Sequence, residues 1–179
     1  MAPAVKAGGK RRAQTEAMSR QQEQRRAARE ARERAQAESL VRSFWVREPA
    51  GAGRYAVRDL LGKGQFGTVV RARSCDCSPR DVAIKRVDHV FANPGDAVRT
   101  IRELRFLREF SGHPNIVRLK DVLVPSQPTA FDTVYFVTSL MTTDLRQMIS
   151  SKTTLEDKQL RWLMYQLLRG PQLLLVPTQ

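Results

Sequence analysis

The chain has 179 residues, 31 Lys+Arg against 18 Asp+Glu, a formal net charge of +13 at pH 7 and 41% hydrophobic residues. That is one domain's worth of chain at most, and it holds no apolar run near the roughly 18 to 20 residues that cross a bilayer, nor an apolar stretch in Met1–Lys10 that would make a secretory signal. Two cysteines, Cys75 and Cys77, are too few for a disulfide scaffold and make half a zinc site at best, so the expected setting is reducing and intracellular, in cytoplasm or nucleus.

Residues 1–50 carry twelve basic and six acidic side chains, and beyond Ala and Met their sizeable apolar groups are Val5 and the late cluster Leu40, Val41, Phe44, Trp45 and Val46. Such a composition does not bury a core. No Gly or Pro interrupts 14–42, and Glu16/Arg20, Glu30/Arg34 and Glu38/Arg42 are i,i+4 pairs in the favourable order. At ~0.2–0.5 kcal/mol each they do not outweigh helix nucleation, so the arm is either a fraying, solvated helix or disorder. Its functional reading is nuclear import through Lys10, Arg11 and Arg12, or a basic arm holding nucleic acid over residues 10–34. The lack of interleaved aromatics and the diluting glutamates weigh against nucleic acid.

Beyond the joint Pro49–Gly53, Tyr55–Leu61, Thr68–Arg73 and Asp81–Asp88 read as short strands separated by Gly-rich or polar turns. Residues Asp96–Phe110 read as a helix, with Val98, Ile101, Leu104 and Leu107 recurring every three residues and Phe106 and Phe110 taken as core. Ile116–Val124 and Val134–Thr138 are two further strands. A second helix is expected from Thr154, capped by its hydroxyl with Asp157 three residues on, and striped by Leu160, Leu163, Met164, Leu167 and Leu168. The order is five strands with one helix inserted, then a helix; Cys75-Asp76-Cys77 falls in a turn as exposed thiols.

Chemistry concentrates between Leu61 and Glu103. In Leu61-Gly62-Lys63-Gly64-Gln65-Phe66-Gly67-Thr68-Val69 the three glycines let a backbone bend tightly and turn its N–H groups on phosphate oxygens. A dinucleotide-binding fold would follow the third glycine with a helix, whereas Thr68–Arg73 alternates like a strand, so the glycines sit in a hairpin. Taken alone this is equally an ordinary β-turn. Lys85 ends the apolar run Val82-Ala83-Ile84-Lys85. Turning each helical residue by roughly 100°, Glu103 falls between Leu107 and Phe110 on the inward side. An inward carboxylate calls for a cation. Lys85 is the candidate; an exposed pair with Arg99 at i−4 is the plainer alternative.

The glycine-rich loop, the Val-Ala-Ile-Lys strand, Glu103 and the turn His113-Pro114-Asn115-Ile116-Val117 together resemble the amino-terminal lobe of a protein kinase. Asp132–Leu145 and Tyr165–Gly170 are similar to the mitogen-activated branch, and the resemblance covers about Tyr55–Gly170. It implies an α+β fold, a five-stranded antiparallel sheet with one helix and a partial second-lobe helix within 55–170, with the basic arm (1–50) and an aberrant tail (171–179) outside it. It further implies that Gly62, Lys63, Gly64, Gln65, Phe66, Gly67 and Thr68 cover the phosphates of ATP, that Lys85 holds the α- and β-phosphates, and that Glu103 orients Lys85. Leu61, Val69 and Ala83 match adenine-sandwiching positions, Thr138 the gatekeeper, Ser139 and Met141 the hinge contacts, and Asp144 a ribose contact. Val69 and Ala83 are alternatively plain core, and Asp144 a helix cap.

The departure is equally plain. Kinases continue with His-Arg-Asp and its Asn, then Asp-Phe-Gly; here the histidines are His89 and His113, neither followed by Arg-Asp, and Pro171–Gln179 intervenes. Catalytic base and magnesium ligands are thus expected to be missing, so that this chain binds ATP without transferring phosphate. The tail reads as a misread gene segment or as a truncation. The expected partners are ATP and the protein substrates or regulators of a kinase cascade, with a non-catalytic fragment competing with the full kinase, or a basic nucleic-acid-binding module, as alternatives. No metal ligands are assigned.

Overall fold

A computed structural model describes residues 6–46, 49–65, 67–77, 79–124, 131–151 and 154–172, with backbone alone at 6–17 and 171–172. Phe66 and the tail from 173 onward lie outside the described residues. The chain divides into two compact units, Met1–Arg42 and Ser43–Gln179.

The first unit is one helix, α1 (Lys6–Arg42). An Ala-, Gln-, Arg- and Glu-rich run sums to high helix propensity, which carries the helix where pairs alone do not. Of the three expected ion pairs, Glu38–Arg42 forms at 3.5 Å, whereas Glu30 turns back to Arg26 at 2.9 Å instead of forward to Arg34. Arg29–Glu33 adds a further pair at 2.8 Å. Glu16 lies where only the backbone is described.

The second unit contains β1 (Tyr55–Gly64), β2 (Gly67–Ser74), β3 (Asp81–Val87), α2 (Pro94–Glu109), β4 (Leu119–Leu123), β5 (Val134–Ser139), α3 (Leu145–Ser150) and α4 (Asp157–Gln172). The strands form one antiparallel sheet in the order β1-β2-β3-β5-β4. β1 runs three residues past the expected Leu61, because a register shift between Leu60 and Gly62 lets the glycine-rich stretch keep pairing with β2 as far as Gly64↔Gly67.

Strand alternation divides the side chains between two faces. On one, Val70, Ala72, Val82, Ile84, Tyr135 and Val137 pack with Tyr55 and Leu123, and Phe44 closes the cluster with no exposed surface. The Phe44 ring stands edge-on to Trp45 and Tyr135 at centroid distances of 5.1 and 5.7 Å. The Val46 N–H donates to the Tyr135 hydroxyl (2.8 Å), which donates to the Val46 carbonyl (3.1 Å). Arg86 donates to the carbonyls of Ser43 (3.1 Å) and Phe44 (2.9 Å). Ser43–Val46 is therefore a strap across the sheet, so the compact unit starts upstream of the 50/55 boundary drawn from composition. Two aromatics suffice to bury where a sheet offers the other half of the core.

On the opposite face α2 lays Ala97 and Leu104 against Val134, Phe136, Val87, Leu119 and Val122. Asn93 caps it, accepting from the Gly95 N–H at 2.9 Å, and Pro94 occupies the first turn, so it begins two residues before Asp96. Its buried stripe is not the expected one: Val98 and Ile101 are 52% and 49% exposed, while Thr100 is buried and Leu104 and Leu107 half-buried. Residues every three apart drift steadily round a 3.6-residue helix, so all four cannot face the sheet. Phe106, expected in the core, is 45% exposed and stacks on Phe110 at 6.0 Å.

Two further elements differ in their bounds and one is additional. β4 starts at Leu119 instead of Ile116, since His113–Ile116 closes as a turn with Ile116 N–H on the His113 carbonyl (3.2 Å). α3 was not anticipated. α4 starts at Asp157, not Thr154, and continues through Pro171 to Gln172; the Glu156 N–H donates to Gln159 Oε1 (3.0 Å), half a capping box set two residues further along than expected.

Candidate functional site

Register brings the chemistry together. Across the sheet Gly62 pairs with Val69, Val69 with Lys85, and Lys85 with Phe136; one step along, Ala83 pairs with Thr138. Val82 and Ile84 point into the packed cluster that Phe44 closes, so Ala83 and Lys85 point to the other face, where α2 lies. From α2, Glu103 reaches Lys85 with both carboxylate oxygens, 2.6 and 2.8 Å from Nζ. The Lys85 side chain is 25% exposed and that of Glu103 39% exposed, so the pair is neither surface decoration nor sealed core. Nζ also stands 5.8 Å from the Phe136 ring centroid. The alternative pairing with Arg99 is not the one formed; Arg99 sits 3.6 Å from Asp96 instead.

The glycines differ in their reasons. Gly67 has φ +123°, and a Cβ there would fall on the main-chain carbonyl of Arg86, so the hairpin itself demands glycine. Gly62 and Gly64 have no positive φ, and a Cβ on either would meet nothing within 4 Å. The fold asks for no glycine at these two positions, yet leaving out the side chain keeps two stretches of backbone open to close approach.

A cleft of about 400 Å³ separates the hairpin from α2 and is lined by Lys63, Gly64, Gln65, Gly67, Thr68, Lys85 and Glu103 among the expected site residues. Arg86, Asp88, His89, Asp96, Arg99 and Thr100 line it as well and escaped the sequence reading. Part of the signal was present, since Asp96, Thr100 and Glu103 share one helical face at i, i+4 and i+7. Among the described residues, the other expected ones are not in its lining. Val69 and Ala83 are half-buried and belong to neither packed cluster. Leu61 and Met141 are 48% and 62% exposed, and Thr138 and Ser139, ending β5, are half-buried. Thr138 Oγ1 lies 3.5 Å from the Ala83 carbonyl. Asp144 caps α3, accepting from the Gln147 N–H at 2.7 Å, which is the plainer of its two readings.

The arrangement offers a polyanion one cation held in place by a carboxylate, plus open glycine backbone. Among the described residues no three metal-ligating side chains gather.

The chain is 43% identical over 110 residues to Mitogen-activated protein kinase 7 of Arabidopsis thaliana, covering 62% of this chain and 29% of that protein. To Extracellular signal-regulated kinase 1 of Dictyostelium discoideum it is 39% identical over 117 residues, 65% and 22% respectively. To Mitogen-activated protein kinase homolog 1 of Petunia hybrida it is 42% identical over 110 residues, 62% and 28%. The chain thus spans less than a third of the length of these relatives. The family model described as protein kinase domain matches residues 55–174, well over half of the chain. The chain belongs to the protein kinase family, on the side of its mitogen-activated members.

Proposed function

We propose that residues 55–170 are the ATP-binding lobe of a mitogen-activated-like Ser/Thr protein kinase. The observation that carries this reading is the two-oxygen ion pair of Lys85 and Glu103 beside an open glycine hairpin. In this reading the main chain of Gly62–Thr68 covers the phosphates, Lys85 neutralises the α- and β-phosphates, and Glu103 keeps the ammonium aimed while leaving Nζ a free proton for a phosphate oxygen. Leu61, Val69 and Ala83 enclose adenine, with Thr138 behind it, Ser139 and Met141 alongside it, and Asp144 toward ribose.

Magnesium, when bound by a complete kinase, neutralises charge on the transferring phosphate. The 179 residues contain no His-Arg-Asp and no Asp-Phe-Gly, so these residues by themselves bind ATP weakly, without dependence on magnesium, and transfer nothing. The test is titration of a fluorescent ATP analogue with and without magnesium. Weak binding insensitive to magnesium and abolished by Lys85→Met supports the reading; micromolar binding that tightens with magnesium, or binding unchanged in the variant, refutes it. A second reading, a non-catalytic fragment engaging the regulators of a kinase cascade in cytoplasm or nucleus, is favoured by α4, where Leu160, Trp162, Met164, Tyr165, Leu167 and Leu168 are 47–67% exposed.

A further inference from the structure

The glutamates of the amino-terminal arm weigh against a polyanion ligand only if they share a face with the arginines. In α1 they do not. At roughly 100° per residue, Arg25 and Arg32, two turns and about 10 Å apart, fall on one line. Glu23 and Glu30 lie nearly opposite that line, and the nearest described carboxylate, Glu33, is about a quarter turn away. Neither Arg25 nor Arg32 has a carboxylate at i±3 or i±4, and among the described residues neither makes an ion pair. Arg29 stands beside them, held through Nε to Glu33 at 2.8 Å. The three side chains are exposed. By contrast Arg26 is paired with Glu30, and Arg34 has glutamates at both i−4 and i+4.

We propose that the Arg25–Arg29–Arg32 face of α1 holds the phosphate backbone of a nucleic acid. Charge complementarity names the occupant's chemistry. An anionic membrane would also need an apolar stripe, and residues 19–39 contain no Val, Leu, Ile, Met or aromatic residue. A partner helix would need apolar seams for the same reason. Phosphate contact requires no aromatic, since stacking serves bases and cations serve the backbone.

The test uses the full chain, a random-sequence DNA duplex and a single-stranded RNA, with affinity followed against salt. Arg25→Gln/Arg32→Gln removes two phosphate partners and lowers the log–log salt slope on the duplex by about 1.8, equivalent to a roughly twelvefold smaller gain in affinity on going from 200 to 50 mM salt. Arg26→Gln/Arg34→Gln, with the same change in net charge, leaves slope and affinity near the parent, and Arg25→Lys/Arg32→Lys retains binding. Glutamine is nearly as good a helix former as arginine, so both glutamine variants keep α1. The duplex or the RNA, whichever binds tighter at about 150 mM salt, is the ligand class. Equal losses from the two glutamine pairs, no binding to either nucleic acid, or displacement by polyglutamate at equal charge would overturn the proposal, the last assigning the face to an acidic protein.

Discussion

Phe44 lies eleven residues before the span matched by the family model, yet it is fully buried in the second unit. Phe44→Ala removes a ring that meets Trp45 and Tyr135 edge-on and lies 5.7 Å from the Arg86 guanidinium. Truncations of this kind cost ~3–5 kcal/mol, transfer and cavity together, and the strap can relax only partly because Arg86 and Tyr135 still hold its main chain. Against a domain stability of ~5–15 kcal/mol that is a large share, and it lowers the melting temperature by roughly 10 °C or more. The assay is urea unfolding of the full chain in a Trp162→Phe background, followed by the emission of Trp45. Val46→Ala serves as control: the side chain is 40% exposed, and its loss costs within about 0.5 kcal/mol. A Phe44→Ala cost below about 1 kcal/mol, with the Trp45 signal unshifted, would show that the strap is not part of the folded unit.

The glycines separate stability from binding. Gly67→Ala, set against the Arg86 carbonyl at φ +123°, destabilises by about 2 kcal/mol or more in a thermal melt, whereas Gly62→Ala leaves stability within about 1 kcal/mol and weakens nucleotide binding. Equal effects on melting would contradict their assignment. Tyr55, 8% exposed and bonded to Asp121 at 3.1 Å, has its phenol pushed up to about 12, by burial first and by the Asp121 charge next. The folded state therefore keeps a proton that the unfolded chain sheds near pH 10. That stability is fully present below pH ~10 and is lost as pH rises toward ~12, on the order of 2–3 kcal/mol in all. Tyr55→Phe flattens this alkaline limb, and an unchanged limb would sink the idea. The exposed apolar side chains of α4 promote self-association, so Leu160→Glu/Leu167→Glu raises the monomer fraction in sedimentation; a parent chain that is already monomeric at high concentration would contradict this.

What could be read in advance was whatever local spacing encodes. The hairpin followed from alternation after Gly67, and the inward turn of Glu103 from helical geometry, although neither Lys85 nor Glu103 had a unique partner in the sequence. Contacts across long stretches of chain stayed hidden. Phe44 and Val46 look like stray apolar residues in a charged arm until Arg86 and Tyr135, 42 and 89 residues further on, close over them. Val98 and Ile101 mislead because a three-residue repeat imitates a helix stripe while drifting off it. α3 is only six residues long and announces itself by one capping side chain, Asp144, a residue that by its position in the chain equally suits a ribose contact. The two-faced charge of α1 was visible only once its helix was continuous, since composition alone mixes Arg25 and Arg32 with the glutamates opposite.

The central claim, that Lys85 is the cation facing a nucleotide's phosphates, is tested most directly by chemistry at its amine. An acyl-phosphate derivative of ATP transfers its acyl group to a lysine Nζ lying against the phosphates, forming an amide and releasing the nucleotide, and mass spectrometry then locates the modified residue. The account predicts labelling at Lys85, suppressed by excess ATP and increased relative to other lysines by intact Gly62 and Gly64. Labelling spread over Lys120 and Lys158 without ATP protection, with Lys85 unmodified, would contradict it.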